Sequence, residues 1–122
     1  MIGYVTVGTN DFPRAAKFFD ALFGEMGAKR TMDFKTFVVW GTGRGPGVAL
    51  TKPYDGKAAT IGNGMMVALA AGSKDAVNRI YEKAISLGAT DEGPPGQRSP
   101  GFYGGYFRDP DGNKLVAFVI GS

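Results

Sequence analysis

The chain has 122 residues, 43% of them hydrophobic, so it is long enough for one domain with a buried core. Its 14 lysines and arginines are scattered among 11 acidic residues and leave a net charge of +3, which argues against the concentrated basic stripe of a nucleic-acid-binding protein. The sequence contains no cysteine and no histidine, which excludes disulfide bonds, thiolate catalysis and nucleophile–histidine pairs, and removes the commonest metal ligand and general base.

The sequence also lacks the patterns of membrane insertion and export. No apolar run approaches the ~18 residues that a membrane span requires. The first residues do not show the charged and then apolar arrangement of a signal peptide. We therefore expect a cytoplasmic protein that associates with neither membranes nor nucleic acid.

Two segments of the chain, Gly3–Arg30 and Met65–Asp91, share one pattern. Each begins with a short run of bulky and small apolar residues, Tyr4–Gly8 in the first segment and Met66–Ala70 in the second. Such runs predict a strand. The pattern that follows each run predicts a helix.

The two predicted helices, at about residues 11–23 and 73–87, have similar beginnings and ends. Asp11 and Ser73 are good N-cap residues, because their side-chain oxygens can accept a free backbone N–H of the first turn. Gly27 and Gly88 are the residues preferred just past a helix end. Apolar residues recur at spacings of three and four and give each helix one apolar face. They are Ala15, Phe18, Phe19, Leu22 and Phe23 in the first helix, and Val77, Ile80, Tyr81, Ala84 and Ile85 in the second.

Short apolar runs after each helix predict three further strands. These are Lys29–Phe34, Thr36–Thr42 and Gly47–Lys52 in the first half, and Ala89–Glu92, Phe102–Arg108 and Lys114–Ile120 in the second. The turn Asp109–Asn113 joins the last two, because Pro110 presets φ and Gly112 accepts a positive φ. The order is therefore β-α-β-β-β twice in one domain, with module one at about 1–53, a polar linker at about 54–63 and module two at about 64–122. We expect the modules to share one sheet and one core.

The opening and the end of the chain resemble a known family. The stretch IGYVTVGTNDFPRAAKFFDALFG (2–24), the ending FYGGYFRDPDGNKLVAFV (102–119) and the preceding GATDEGPPGQRSPGFYGGYF (88–107) are similar to the glyoxalase/bleomycin-resistance, or vicinal-oxygen-chelate, group. The resemblance covers essentially the whole chain. It implies an α+β fold in which two βαβββ modules form a U-shaped mixed sheet around a cavity, with the helices on the outer face.

The same resemblance implies a divalent metal held by four side chains, two from each module. The family usually has histidines where this chain has Tyr4 and Met66, and a glutamate where it has Val116. The fourth ligand would come from Pro46–Leu50, which contains no coordinating side chain. A lone tyrosine does not make a metal site. We therefore predict that the protein holds no metal at this place and uses no cofactor.

Alternation along the strands selects candidate ligand-binding residues. Tyr4 and Thr6 share one face of their strand, and by resemblance that face lines the cavity. Met66, Val116 and Phe118 would line it from the second module. The alternative is that these apolar side chains fill a collapsed former pocket.

Four further residues complete the candidate set. Trp40 is the only tryptophan, and an aromatic residue on a strand belongs to the core more often than to a ligand site. Lys52 and Arg98 are the cationic candidates, with Arg98 in a predicted loop at Gly93–Gly101, where the alternative is a solvated surface charge. Tyr103 and Tyr106 stand on opposite faces of their strand, and the sequence does not decide which faces the cavity. The full set is Tyr4, Thr6, Trp40, Lys52, Met66, Arg98, Tyr103, Val116 and Phe118.

Three functions are compatible with this pattern. The first hypothesis is a metal-free protein that binds a small apolar or weakly anionic molecule without catalysis. The second is an enzyme of the lyase or dioxygenase type, with Tyr4 or Arg98 as the acid or the oxyanion stabiliser in place of metal chemistry. The third is an interaction protein with a vestigial pocket. We assign no catalytic residue, and we expect a homodimer from the family resemblance and from sheet edges that need covering.

Overall fold

Two β-α-β-β-β modules follow one another along the chain, which confirms the predicted repeat. The computed structural model describes residues 1–121, in two units of which the first ends at Gly62 and the second begins at Asn63. The first module contains β1 (Tyr4–Gly8), α1 (Phe12–Gly24), β2 (Lys29–Phe34), β3 (Phe37–Gly41) and β4 (Gly47–Thr51). The second contains β5 (Val67–Ala70), α2 (Lys74–Ser86), β6 (Thr90–Ser99), β7 (Phe102–Arg108) and β8 (Lys114–Ile120).

Both helices begin and end as their sequences predict. The Asp11 carboxylate accepts the backbone N–H of Arg14 at 3.2 Å, and the Ser73 hydroxyl accepts that of Ala76 at 3.1 Å, so each N-cap satisfies one free donor of its first turn. Gly27 and Gly88 follow the helix ends with φ of +76° and +102°. Glycine adopts this left-handed conformation without the steric cost that a side chain would add.

The first sheet has the order β1-β4-β3-β2, with β1 and β4 parallel and the other neighbours antiparallel. Helix α1 covers one face of it with Phe19, Leu22 and Phe23, all of which are buried. The rings of Phe19 and Phe23 each lie 5.7 Å from the ring of Trp40 in β3. This aromatic cluster is the centre of the first core.

The second sheet repeats this topology with the order β5-β8-β7-β6. Helix α2 contributes Val77 and Ile80 to the core, and the sheet contributes Phe107 and Leu115, all at most 2% exposed. This core holds one aromatic pair, Tyr81 against Phe107 at 6.4 Å, where the first core holds a cluster.

The sheet arrangement differs from the prediction in one respect. The strands form two four-stranded sheets, one in each module, where the sequence suggested a single shared sheet. The physical reason is that the first strand of each module pairs with the last strand of the same module, β1 with β4 and β5 with β8, so each module completes its own sheet.

The predicted short strand Ala89–Glu92 and loop Gly93–Gly101 are also corrected by the structure. One irregular strand, β6, runs through Thr90–Ser99 and pairs with β7, with register shifts on both sides of Gly93. Pro94 and Pro95 indicated a loop because proline cannot donate a backbone hydrogen bond. β6 lies at the edge of its sheet, where that donor is not needed.

The predicted turn between the last two strands is confirmed. Asp109, 3% exposed, accepts the backbone N–H groups of Asp111 and Asn113 at 3.0 and 2.8 Å, and Gly112 takes a φ of +94°. Burial raises the pKa of Asp109, against the hydrogen bonds from Asn113 that lower it. In the described residues 1–121, neither helix is long and apolar enough to span a bilayer.

Candidate functional site

The face of the first sheet that points away from α1 carries two of the candidate residues. Alternation along β3 places Phe37 and Val39 opposite Trp40, and the ring of Phe37 lies 5.8 Å from that of Tyr4. Thr6 pairs with Ala49 on the same face. We call this surface, formed by Tyr4, Thr6, Phe37, Val39 and Ala49, the first distal face. Tyr4 is 49% exposed and therefore open to a ligand.

The corresponding face of the second sheet carries three more candidates. Val116 in β8 lies between Ala68 of β5 and Tyr106 of β7, and Phe118 stacks on Phe102 at 5.5 Å with the rings nearly parallel. Met66, one residue before β5, continues the same face by alternation and is 44% exposed. We call this surface, formed by Met66, Ala68, Phe102, Tyr106, Val116 and Phe118, the second distal face. It is largely apolar, as small-molecule sites tend to be.

Trp40 lies on the opposite side of the first sheet from Tyr4 and Thr6. It is 2% exposed, and its indole N–H donates to the Asp20 carboxylate at 2.8 Å. Arg30 donates two hydrogen bonds to the same carboxylate and lies 5.7 Å from the Trp40 ring centre. The structure therefore assigns Trp40 to the core, because α1 supplies both its aromatic neighbours and its hydrogen-bond acceptor.

The structure resolves which tyrosine of β7 faces the helix. The Tyr103 hydroxyl donates to Asn78 of α2 at 2.7 Å, and the Lys74 ammonium group lies 5.4 Å from its ring centre. Tyr103 is thus on the helix side of the second sheet, away from Val116. Tyr106 is on the second distal face, with the Arg98 guanidinium 5.4 Å and the Lys114 ammonium 5.5 Å from its ring centre.

The two predicted cations lie in different surroundings. Arg98 is part of the edge strand β6, and its side chain reaches over the second distal face. Lys52 is exposed, one residue beyond β4, and its backbone N–H donates to Thr36 at 3.3 Å. Arg98 therefore lies beside Tyr106, which pairs with Val116. Lys52 lies at the end of a strand.

A carboxylate–tyrosine pair joins β6 to α2. The Tyr81 hydroxyl donates to Asp91 at 2.7 Å, and the Gly93 backbone N–H donates to the same oxygen at 2.9 Å. These bonds, with a contribution from Arg98, lower the pKa of Asp91. Burial, followed by the hydrogen bond to Asp91, raises the pKa of Tyr81 to about 12. The Tyr81 phenol stays protonated at neutral pH and holds the start of β6 in place.

Comparison with known proteins decides the family. The model of the Glyoxalase/Bleomycin resistance protein/Dioxygenase superfamily matches residues 1–117. This chain belongs to that superfamily. No curated protein matches the sequence significantly.

Solved structures of the superfamily agree with the fold of this member. A glyoxalase/bleomycin resistance protein from Albidiferax ferrireducens T118 is 36% identical, with a TM-score of 0.89 and 97% of each chain covered. The fosfomycin resistance protein FosX from Mesorhizobium loti is 20% identical, with a TM-score of 0.71 and coverage of 100% of this chain and 92% of that one. Lactoylglutathione lyase from Agrobacterium tumefaciens is 19% identical, with a TM-score of 0.72 and coverage of 97% and 92%. At these identities the last two support the fold alone.

The superfamily's usual metal positions can now be compared with this chain. Resemblance assigns them to Tyr4, Met66 and Val116, and strand pairing adds Ala49, which pairs with Thr6 as Val116 pairs with Ala68. The four residues offer at most a phenol and a thioether, whereas a divalent cation needs several oxygen, nitrogen or thiolate donors. Within residues 1–121, no group of three or more His, Cys, Asp or Glu side chains is placed to hold a metal. These residues do not supply the donors for the metal that the superfamily implies.

The sequence analysis left Tyr103 and Tyr106 as alternatives, and it missed Lys114 on the side of the second distal face. Alternation in β8 did contain the information for Lys114, because it is two residues before Val116 and therefore shares its side of the sheet. For Tyr106, alternation shows only that it lies on the opposite face of β7 from Tyr103. The hydrogen bond between Tyr103 and Asn78 decides the assignment, and this contact joins residues 25 apart in the sequence.

Proposed function

We propose that this superfamily member binds a small apolar or weakly anionic organic molecule against a distal face, without a metal ion, a cofactor or catalysis. The observation that carries the proposal is the half-exposed state of Tyr4 and Met66, which are 49% and 44% exposed on otherwise apolar sheet faces. Large apolar side chains left open on a sheet face favour a ligand that removes them from water. The lack of suitable donors beside them supports a site that works without a metal.

A thermal-shift screen of small organic molecules tests the binding function. A ligand at 100 times its Kd stabilises a protein by about 2.7 kcal/mol, which corresponds to a rise in Tm of about 10 °C for a chain of this size. Met66→Ala should weaken the response to a hit, because it removes apolar contact area from the second distal face. Met65→Ala is the matched control. Met65 is also exposed, but by alternation its side chain points to the side opposite that of Met66. Equal loss in both variants would contradict the assignment of this face.

Metal analysis of the purified, dialysed protein tests the other half of the proposal. We expect less than about a tenth of an equivalent of any transition metal, since no cluster of suitable donors is present. Tyr4→Phe removes the one phenol at the superfamily's metal positions and should leave the metal content unchanged. Stoichiometric zinc, nickel, manganese or iron that is lost in Tyr4→Phe would overturn the metal-free function.

We also propose that the protein is a homodimer. The first sheet ends in β1 and β2, and β2 exposes Met32 and Phe34 at 49% and 61%. Apolar side chains on an open edge strand favour pairing with a second copy. Sedimentation at tens of micromolar should show a dimer that Phe34→Lys weakens, and a monomeric wild type would overturn the proposal.

A further inference from the structure

Two cations from different strands approach one aromatic ring on the second distal face. The Arg98 guanidinium of β6 and the Lys114 ammonium group of β8 lie 5.4 and 5.5 Å from the centre of the Tyr106 ring. Each contact is favourable, because the face of an aromatic ring attracts a cation. The ring thus lies close to two positive charges, and both attract an anion.

Neither cation of this cluster is neutralised by an ion pair within the described part of the chain. Within residues 1–121, neither Arg98 nor Lys114 forms an ion pair with a carboxylate, and the Tyr106 hydroxyl has no hydrogen-bond partner. No buried polar side-chain atom of this part of the chain lacks a partner, so the unbonded Tyr106 hydroxyl is accessible to solvent. Asp91 interacts electrostatically with Arg98, but its carboxylate is already bonded to Tyr81 and Gly93. Apart from the hydrogen bond that Nη2 of Arg98 donates to the Pro94 carbonyl, the cluster therefore has two cations and a phenol available for an external acceptor.

Glycines in β6 leave the space that the Arg98 guanidinium occupies over the ring. A Cβ atom at Gly96 would lie 2.8 Å from Nη1 of Arg98, and one at Gly93 would lie 3.2 Å from Nη2. The guanidinium thus rests directly on its own strand, where Nη2 also donates to the Pro94 carbonyl. This arrangement orders a long, flexible side chain before any ligand arrives, which lowers the entropy lost on binding.

We propose that Arg98, Lys114 and Tyr106 form an oxyanion-binding site for the carboxylate or phosphate group of a small organic ligand. The site rests on the proposed function, since the apolar part of such a ligand would pack on the part-exposed Tyr106 and Phe118 of the second distal face, whereas Val116 beneath them is fully buried. Arg98 supplies the fork of N–H donors that suits a planar or tetrahedral oxyanion. Lys114 supplies a second charge, and the Tyr106 hydroxyl donates a hydrogen bond.

Calorimetric titration of the full chain with three probes tests this site. The probes are benzoate, phenylphosphate and benzamide, which share a phenyl ring and differ in the charge of the head group. We expect the anions to bind at least about tenfold more tightly than benzamide, as a charge-assisted hydrogen bond allows. Their affinity should fall with added salt, and that of benzamide should not. Preference for benzoate or for phenylphosphate distinguishes a carboxylate ligand from a phosphate ligand.

Three variants separate the site from a general charge effect. Arg98→Gln and Lys114→Gln should each weaken anion binding about tenfold, and the exposed Arg44→Gln, in the first module, is the control with the same change of charge. Gly96→Ala keeps every charge but displaces the guanidinium, so it should weaken anion binding as Arg98→Gln does. Gly96 has no positive φ, so alanine does not strain the backbone there.

The outcomes distinguish this inference from the broader binding function. Equal binding of benzamide and the anions, unchanged in the Gln variants, would overturn the oxyanion site and leave apolar ligand binding intact. Absence of binding by either anion at millimolar concentration would also overturn it, while the thermal-shift screen would test apolar ligands separately.

Discussion

Replacement of Asp20 tests the hydrogen-bond network that joins α1 to β2 and β3. Oδ1 of Asp20 accepts the indole N–H of Trp40 at 2.8 Å and Nε of Arg30 at 2.9 Å, and Oδ2 accepts Nη2 of Arg30 at 2.7 Å. Trp40 is 2% exposed while Asp20 is present, and the Asp20 side chain itself is 45% exposed, so in Asp20→Ala only water that enters the vacated space can accept the indole N–H. Removal of the carboxylate therefore exchanges a charged protein acceptor for a water molecule at best.

The expected magnitudes follow from this geometry. Asp20→Ala should lower the free energy of unfolding by about 1–2 kcal/mol, of which about 1 kcal/mol comes from the loss of the indole hydrogen bond. The ion pair adds at most about 1 kcal/mol, because the side chains of Arg30 and Asp20 are 32% and 45% exposed. Asp20→Asn keeps an oxygen for Trp40 and loses only the charge, so it should cost about 1 kcal/mol or less.

Urea denaturation followed by fluorescence measures these differences, since Trp40 is the single tryptophan and lies at the network itself. Asp33→Asn is the control, because it removes the other carboxylate bonded to Arg30, at 3.1 Å, without touching Trp40. We expect that control to change stability by less than about 0.5 kcal/mol. Equal destabilisation by Asp20→Ala and Asp20→Asn would refute the reasoning, because it would show that the indole bond contributes nothing.

The same network predicts a dependence on pH. The hydrogen bond from Arg30, and after it that from Trp40, hold the pKa of Asp20 below its usual 3.8, against burial, which raises it. A carboxyl group with a lowered folded pKa stabilises the protein fully above its unfolded pKa and loses that contribution as the pH falls through the folded value. The stability difference between wild type and Asp20→Asn should therefore be constant above about pH 5 and shrink below about pH 4. A difference that stays constant to pH 2 would contradict the assignment.

Two further predictions concern turns and helix ends. Asp109→Ala should destabilise the protein by about 2 kcal/mol, because it leaves the backbone N–H groups of Asp111 and Asn113 without their acceptor. Asp109→Asn keeps an acceptor oxygen and should cost less. Equal costs of the two variants in urea denaturation would contradict this prediction. Gly88→Ala should destabilise by about 1 kcal/mol, since φ is +102°. Gly24→Ala, at a helical position with no atom within 4 Å of the new Cβ, should stabilise by about 0.5 kcal/mol. Thermal denaturation of both glycine variants checks the difference in sign.

Local chemistry allowed most of the fold to be predicted from the sequence. Asp11 and Ser73 each mark a helix start, because capping depends on residues three apart. The interior of β6 was not predictable in this way, since its prolines are compatible with a strand only at a sheet edge, and the edge is set by the order of all four strands. The sequence alone does not decide whether Trp40 belongs to the core or to a ligand site, for the same reason. Its hydrogen-bond partner Asp20 lies in another element, 20 residues away.

The candidate site was harder to predict because alternation gives two faces without saying which one a helix covers. β7 illustrates the difference between them. Tyr103 turns to α2 and bonds to Asn78, so its replacement affects packing, whereas Tyr106, three residues later, faces away from α2 and leaves its hydroxyl unbonded. Substitution of Tyr106 therefore removes no hydrogen bond to α2. This separation explains how one chain can retain the caps, the turn and the fold of its superfamily while Tyr4, Met66 and Val116 occupy the positions that resemblance assigns to metal ligands.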